Sequence, residues 1–169
     1  ALYSLIANLY PELSNVVLVD IGYELTSMVI IRGGQLKFVR SMYVTLGNII
    51  NLVSQELKVS EKDVEDFLNS YGFDTDNYPK EEHAQHYKKS IGKFLDKLRA
   101  ELQRSILFYQ EKFGAGEKIT KIVLTGAGLK VGKINEVLKS KLKLEIDVLP
   151  FSNNVQSDDD FKNQYHLYA

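Results

Sequence analysis

A mixed α/β sheet carrying helices is the fold class this chain predicts, on three observations. The apolar run Val16-Val17-Leu18-Val19 ends in the turn Asp20-Ile21-Gly22. A second run, Ile122-Val123-Leu124, ends in Thr125-Gly126-Ala127-Gly128-Leu129. Between them lies a long stretch whose apolar residues recur at helical spacing. Short continuous apolar runs bounded by turn signals suit strands buried on both faces, and such strands need helices to cover them.

The elements follow in order. Leu2, Leu5, Ile6 and Leu9 space like one face of a helix. Residues 16–21 then read as a buried strand, and 26–31, rich in β-formers, as a second. Gly33-Gly34 predicts a two-residue hairpin turn, because glycine tolerates the positive φ such turns need. Residues 36–44 make the third strand of an antiparallel meander, Leu36 and Phe38 alternating with Lys37 and Val39 with Arg40. A helix is expected over 46–57. Ser60-Glu61-Lys62-Asp63 has the form of a capping box opening a helix to about Asn69. Residues 71–82 are polar with Gly72 and Pro79, and predict a loop.

A long helix is expected over 83–113. Ile91, Phe94, Leu95, Leu98, Leu102, Ile106, Tyr109 and Phe113 lie on one of its faces, and Gly114 and Gly116 stop it. Residues 119–124 predict a strand, 131–141 a helix, and 144–149 a last strand closed by Pro150. A polar tail with Asp158-Asp159-Asp160 follows. The whole is expected to form a single domain. Its core is residues 1–58 and 119–150, its helical insert 59–118 and its tail 151–169.

Composition bounds the function. The 169 residues are 44% hydrophobic and 25% charged, ordinary values for one globular domain. With 21 basic against 22 acidic residues and no basic stripe, nucleic acid is not an expected partner. Zero cysteines exclude disulfides, thiolate catalysis and zinc–thiolate sites. No apolar run approaches the roughly 18–20 residues that span a bilayer, and Ala1–Tyr10 lacks a basic leader region. The expected location is the cytoplasm, without direct membrane insertion. Both ends read as interior to a longer protein, since the chain opens inside a helical pattern and stops at Tyr165-His166-Leu167-Tyr168-Ala169 without a cap.

Three hairpin strands, then helices, then strand–helix–strand is the order of a ribonuclease-H-like fold. That arrangement brings two strand exits together on one sheet edge, where ligands of open α/β sheets bind. Asp20 and Gly126 would then be neighbours. A carboxylate with a glycine two residues on can hold a metal's water shell while backbone approaches a phosphate. Read singly, either motif is also an ordinary strand-end turn. His83 and His86, near Glu81 and Glu82, read more simply as a solvated helix start than as a metal site, and the Glu101/Arg104 pair as helix-surface stabilisation.

These residues resemble one half of an actin-like ATPase. Asp20, Gly22 and Thr26 are similar to that superfamily's second phosphate loop, and Thr125-Gly126-Ala127-Gly128 to its adenosine loop. Within the superfamily the chain looks like the PilM family of type IV pilus assembly proteins, ahead of the cell-division relative FtsA. The likeness is carried by Asp20 through Ser27, Phe38-Val39-Arg40 and Glu101-Leu102-Gln103-Arg104-Ser105-Ile106-Leu107-Phe108-Tyr109.

The resemblance implies a cytoplasmic ATP-binding scaffold at the inner membrane, with a PilN-like membrane-protein tail and other pilus platform proteins as partners. It implies ATP and Mg²⁺ as cofactors of the full-length protein, with Asp20 holding the metal through water. Gly22, Thr26 and Ser27 would lie by the outer phosphates, Gly126, Ala127, Gly128 and Leu129 by the adenosine, and Glu65 by the ribose. Catalytic residues are not assigned. Leu68 stands where the family segment has lysine, Val64 where it has alanine, and Leu46-Gly47 where relatives often have two glycines. The first phosphate loop belongs to the other half of such proteins, so a first domain is expected to be missing here. That half would carry most of the PilN contact, and nucleotide binding by this half alone would be weak or absent. An actin-like small-molecule kinase and a nucleotide-independent interaction module are the competing readings.

Overall fold

The computed structural model of the chain describes residues 16–113, 119 and 121–149. The expected helix at Leu2–Leu9, the glycine stop at Gly114 and Gly116, Pro150 and the tail lie outside these residues. Among the described residues, five strands form one sheet in the order β3-β2-β1-β4-β5.

β1 (Val16–Ile21) pairs antiparallel with β2 (Thr26–Arg32), and β2 with β3 (Gln35–Met42). Gly33 and Gly34 both take positive φ, +56° and +69°, the geometry whose twist matches the flanking strands. β1 pairs in parallel with β4 (Lys121–Thr125), and β4 with β5 (Glu145–Val148). The centre of the sheet is apolar on both faces. Val17, Val19 and Ile21 join the large core under the helices, while Val16, Leu18, Val29, Ile31, Val123 and Leu149 form a second cluster. Alternation along a strand explains the division. It also explains why β1 reads in sequence as an unbroken apolar run.

α1 (Leu46–Leu57) is capped by Thr45, whose side chain accepts the Asn48 N–H, and it buries Leu46, Ile49, Ile50 and Val53. α2 (Glu61–Tyr71) opens with the expected box. Ser60 Oγ accepts the Asp63 N–H at 3.1 Å and Asp63 accepts the Ser60 N–H at 3.0 Å. Caps of this kind are worth about 1 kcal/mol. The segment read as a polar loop contains a 3₁₀ turn, Thr75–Asn77, and two buried aromatics, Phe73 and Tyr78. The Tyr78 hydroxyl donates to the Gly72 carbonyl at 2.6 Å, which gives a buried polar group its partner.

α3 (Glu82–Phe113) buries the predicted face from Ile91 to Tyr109. Phe113 departs from it, being 55% exposed at the helix end, where it meets the Phe38 and Tyr109 rings at the margin of the core. The predicted helix over 131–141 begins later, as α4 (Ile134–Leu142), after a 3₁₀ turn at Ala127–Lys130. Lys133 in the left-handed region at φ +67° breaks the pattern between buried Val131 and Ile134.

Candidate functional site at the paired exits of β1 and β4

Parallel pairing places the ends of β1 and β4 side by side, with Asp20 opposite Thr125. On its other side Asp20 faces Ser27 of β2. Both glycine turns therefore leave the same sheet edge together, as their sequence order implies.

The two turns lie in tight contact. Gly126 has φ +96°, and a β-carbon there would stand 2.7 Å from the Ile21 carbonyl oxygen and 2.1 Å from Asp20 Oδ1. At Gly128 a β-carbon would stand 2.6 Å from Ile21 Cγ2. Only glycine lets the second turn lie this flat across the first. The turn closes on itself through the Leu129 N–H, which donates to the Gly126 carbonyl at 3.1 Å. Gly126 and Gly128 are buried, while Ala127 and Leu129 are half-buried.

Asp20 is the unusual group. Its Oδ1 is buried and has no hydrogen-bond partner, alone among the described side-chain atoms in this respect. Burial pushes its carboxyl pKa up, because an anion loses hydration there and gains nothing in exchange. A buried polar atom without a partner calls for an explanation. A hydrated cation or a ligand donor against Oδ1 would supply one. Among the described residues no group of three or more His, Cys, Asp or Glu side chains gathers as a cation site. A single carboxylate could hold a hydrated cation only together with waters or ligand oxygens.

The β1–β2 turn is strapped to α1. Leu46 N–H donates to the Gly22 carbonyl at 3.1 Å and Gly47 N–H to the Tyr23 carbonyl at 2.9 Å. A β-carbon on Gly47 would stand 2.7 Å from that carbonyl and 2.9 Å from the Tyr23 ring. These amides would otherwise lie unpaired at the helix start. Here they hold the turn, as does the Gly22 N–H, which donates to Leu25 at 3.1 Å.

Thr26 is fully buried, and its hydroxyl donates to the Val44 carbonyl at 2.7 Å, tying the start of β2 to the segment before α1. Ser27 is half-buried in the ladder beside Asp20. Glu65 is exposed on α2. Burial first, then the charges of Glu61 and Glu65, raises the Tyr23 hydroxyl pKa. Leu68 is fully buried in the core. Sequence reasoning missed the Gly47–Tyr23 contact and the Thr26–Val44 bond, both made between segments far apart in the chain.

The Phe38–Arg40 strand and the Glu101–Tyr109 helix also meet. Arg40 reaches Glu101 at 3.1 Å, Arg104 shares the same carboxylate at 2.7 Å, and the Phe38 ring centroid lies 5.9 Å from those of Phe108 and Tyr109.

Residues 3–167 match the family described as type IV pilus assembly protein PilM. Comparison with curated protein sequences gives no match. Among solved structures, the chain is similar to one described as a PilM-PilN type IV pilus biogenesis complex, with a TM-score of 0.69 and 23% identity. That likeness covers 98% of this chain and 45% of that one, so the chain spans about half its length. MreB5 of Spiroplasma citri bound to ADP gives 0.66 at 15% identity, covering 90% and 54%. Ethanolamine utilization protein EutJ from Carboxydothermus hydrogenoformans gives 0.58 at 13%, covering 86% and 47%. The fold is that of the actin-like ATPases.

Proposed function

The chain belongs to the type IV pilus assembly protein PilM family, and from that premise we propose that it forms one wall of an ATP-binding cleft in a scaffold of the pilus assembly platform. The observation that carries this reading is the buried, unpartnered Asp20 Oδ1 lying against the Gly126 turn. Asp20 would hold Mg²⁺, which would neutralise phosphate charge when bound. The β1–β2 turn, with Gly22, Thr26 and Ser27 at its borders, cradles the outer phosphates. Because the Gly22 N–H and the Thr26 hydroxyl already have partners within the chain, their part is to hold the turn's shape. Gly126, Ala127, Gly128 and Leu129 present a flat surface to the adenosine, and Glu65 lies by the ribose.

The cleft is one-sided. In this reading the chain is a second domain, with core 1–58 and 119–150, insert 59–118 and tail 151–169. A first domain supplies the opposing phosphate loop, and ATP bound to this wall alone is held weakly. The partner is a PilN-like membrane-protein tail together with other platform proteins, which places the scaffold at the cytoplasmic face of the inner membrane. No helix among the described residues is long and apolar enough to cross a membrane. A second reading, a nucleotide-independent interaction module, is favoured by Leu68, a buried apolar residue where the family segment has lysine.

Titration of the full-length protein with Mg-ATP, followed by tyrosine fluorescence, tests the proposal. Saturable binding that Asp20→Ala abolishes supports the nucleotide reading. A silent titration leaves the interaction module standing, and phosphoryl transfer to a small acceptor would establish a kinase instead.

A further inference from the structure

We propose that the groove between α1 and α3 docks an acidic segment of a partner protein through one apolar anchor side chain. The groove encloses about 300 Å³ over a floor of Val44, Ile49 and Phe94, all buried. That is the small end of ligand-pocket volumes, suited to an anchor residue rather than to a whole cofactor. Tyr43 and Leu52 border it and are 80% and 40% exposed. A concave apolar floor bordered by exposed apolar side chains can seat one apolar side chain of a partner. Tyrosine is also a favoured interface anchor, since it covers much area at little cost in rotamer entropy.

The opposite border carries charge. Lys93 and Lys97 stand one turn apart on α3. Lys93 lies 4.0 Å from Glu56 of α1, and Glu56 also accepts a hydrogen bond from Ser90. Lys97 takes part in none of the ion pairs among the described residues. A lysine beside an apolar groove selects a carboxylate next to the anchor and repels a basic segment. A second copy of the chain is the other occupant to test, since a two-fold pairing would bring this patch against itself. None of these residues belongs to the nucleotide wall proposed above, so the groove is a separate surface.

The test is fluorescence anisotropy of the labelled hexapeptide Glu-Asp-Leu-Phe-Asp-Glu with the full chain at low salt. Saturable binding is expected, weakened roughly tenfold by Lys97→Glu and by Leu52→Asp, as for loss of a contact worth about 1.4 kcal/mol. Both positions face solvent, so an unchanged thermal midpoint shows that the variants fold. The basic hexapeptide Lys-Arg-Leu-Phe-Arg-Lys should fail to bind. Absent binding, equal binding by both variants or equal binding of the basic peptide would overturn the proposal. So would sedimentation showing self-association that Leu52→Asp abolishes, since that assigns the groove to a second copy.

Discussion

Asp20 and Gly126 are packed so closely that a β-carbon at position 126 would stand 2.1 Å from Asp20 Oδ1. The contact joins the two turns of the candidate site and depends on a residue without a side chain.

Gly126→Ala should therefore be strongly destabilising. The φ of +96° strains any L side chain, and the Ile21 carbonyl at 2.7 Å cannot swing away as a side chain could. Backbone strain and overpacking together should cost about 2–4 kcal/mol, read as a lower urea midpoint. Replacing Asp20 with Gly in the same chain removes the carboxylate clash and should restore only part of that loss.

Gly47→Ala sets two effects against each other. Alanine favours the helix by about 1 kcal/mol, but its β-carbon meets the Tyr23 carbonyl and ring. Overpacking of this kind costs about 1–3 kcal/mol, so net destabilisation is expected. Tyr23→Ala in the Gly47→Ala background should recover part of it, because the ring contacts disappear while the carbonyl contact stays. Equilibrium denaturation of the single and double variants measures both.

Asp20 should make the fold less stable as pH rises. Burial raises its folded pKa above the unfolded 3.8, so the folded chain holds the proton more tightly. Its contribution is fully present below pH 3.8 and is lost as pH climbs through the raised folded pKa. At neutral pH an uncompensated buried anion remains. Asp20→Asn should thus raise the thermal midpoint at pH 7, and the difference from wild type should shrink on acidification. Reading the difference isolates Asp20 from Asp63 and Asp96, whose lowered pKa values act in the opposite direction.

Thr26→Val keeps the side-chain shape but leaves the Val44 carbonyl without its 2.7 Å partner in a buried place. An unsatisfied buried acceptor costs about 1–3 kcal/mol. Thr26→Ser retains the bond and should lose less, a ranking that chemical denaturation can check.

Much of this fold was readable from local pattern. The unbroken run at Val16–Val19, the glycine pair at 33–34 and the capping box at Ser60 each encode one element through its own backbone chemistry, and each element formed. The neighbouring of Asp20 and Gly126 followed from strand order. Misreadings arose where neighbours decide. Val131 has core periodicity and is buried, yet it precedes α4, because Lys133 turns left-handed before the helix begins. Phe113 continues the α3 face by spacing but remains exposed at the helix end. The strap from Gly47 to Tyr23 and the Arg40–Glu101 pair join residues with no local signal linking them.

The central claim is that the two strand exits form one nucleotide-binding wall. Backbone amide shifts of the ¹⁵N-labelled chain, followed by NMR during Mg-ATP titration, test it most directly. Shifts are expected together at Gly22–Ser27 and Gly126–Leu129, and these should vanish in Asp20→Asn. Shifts confined to other residues, or an identical response in Asp20→Asn, would contradict it.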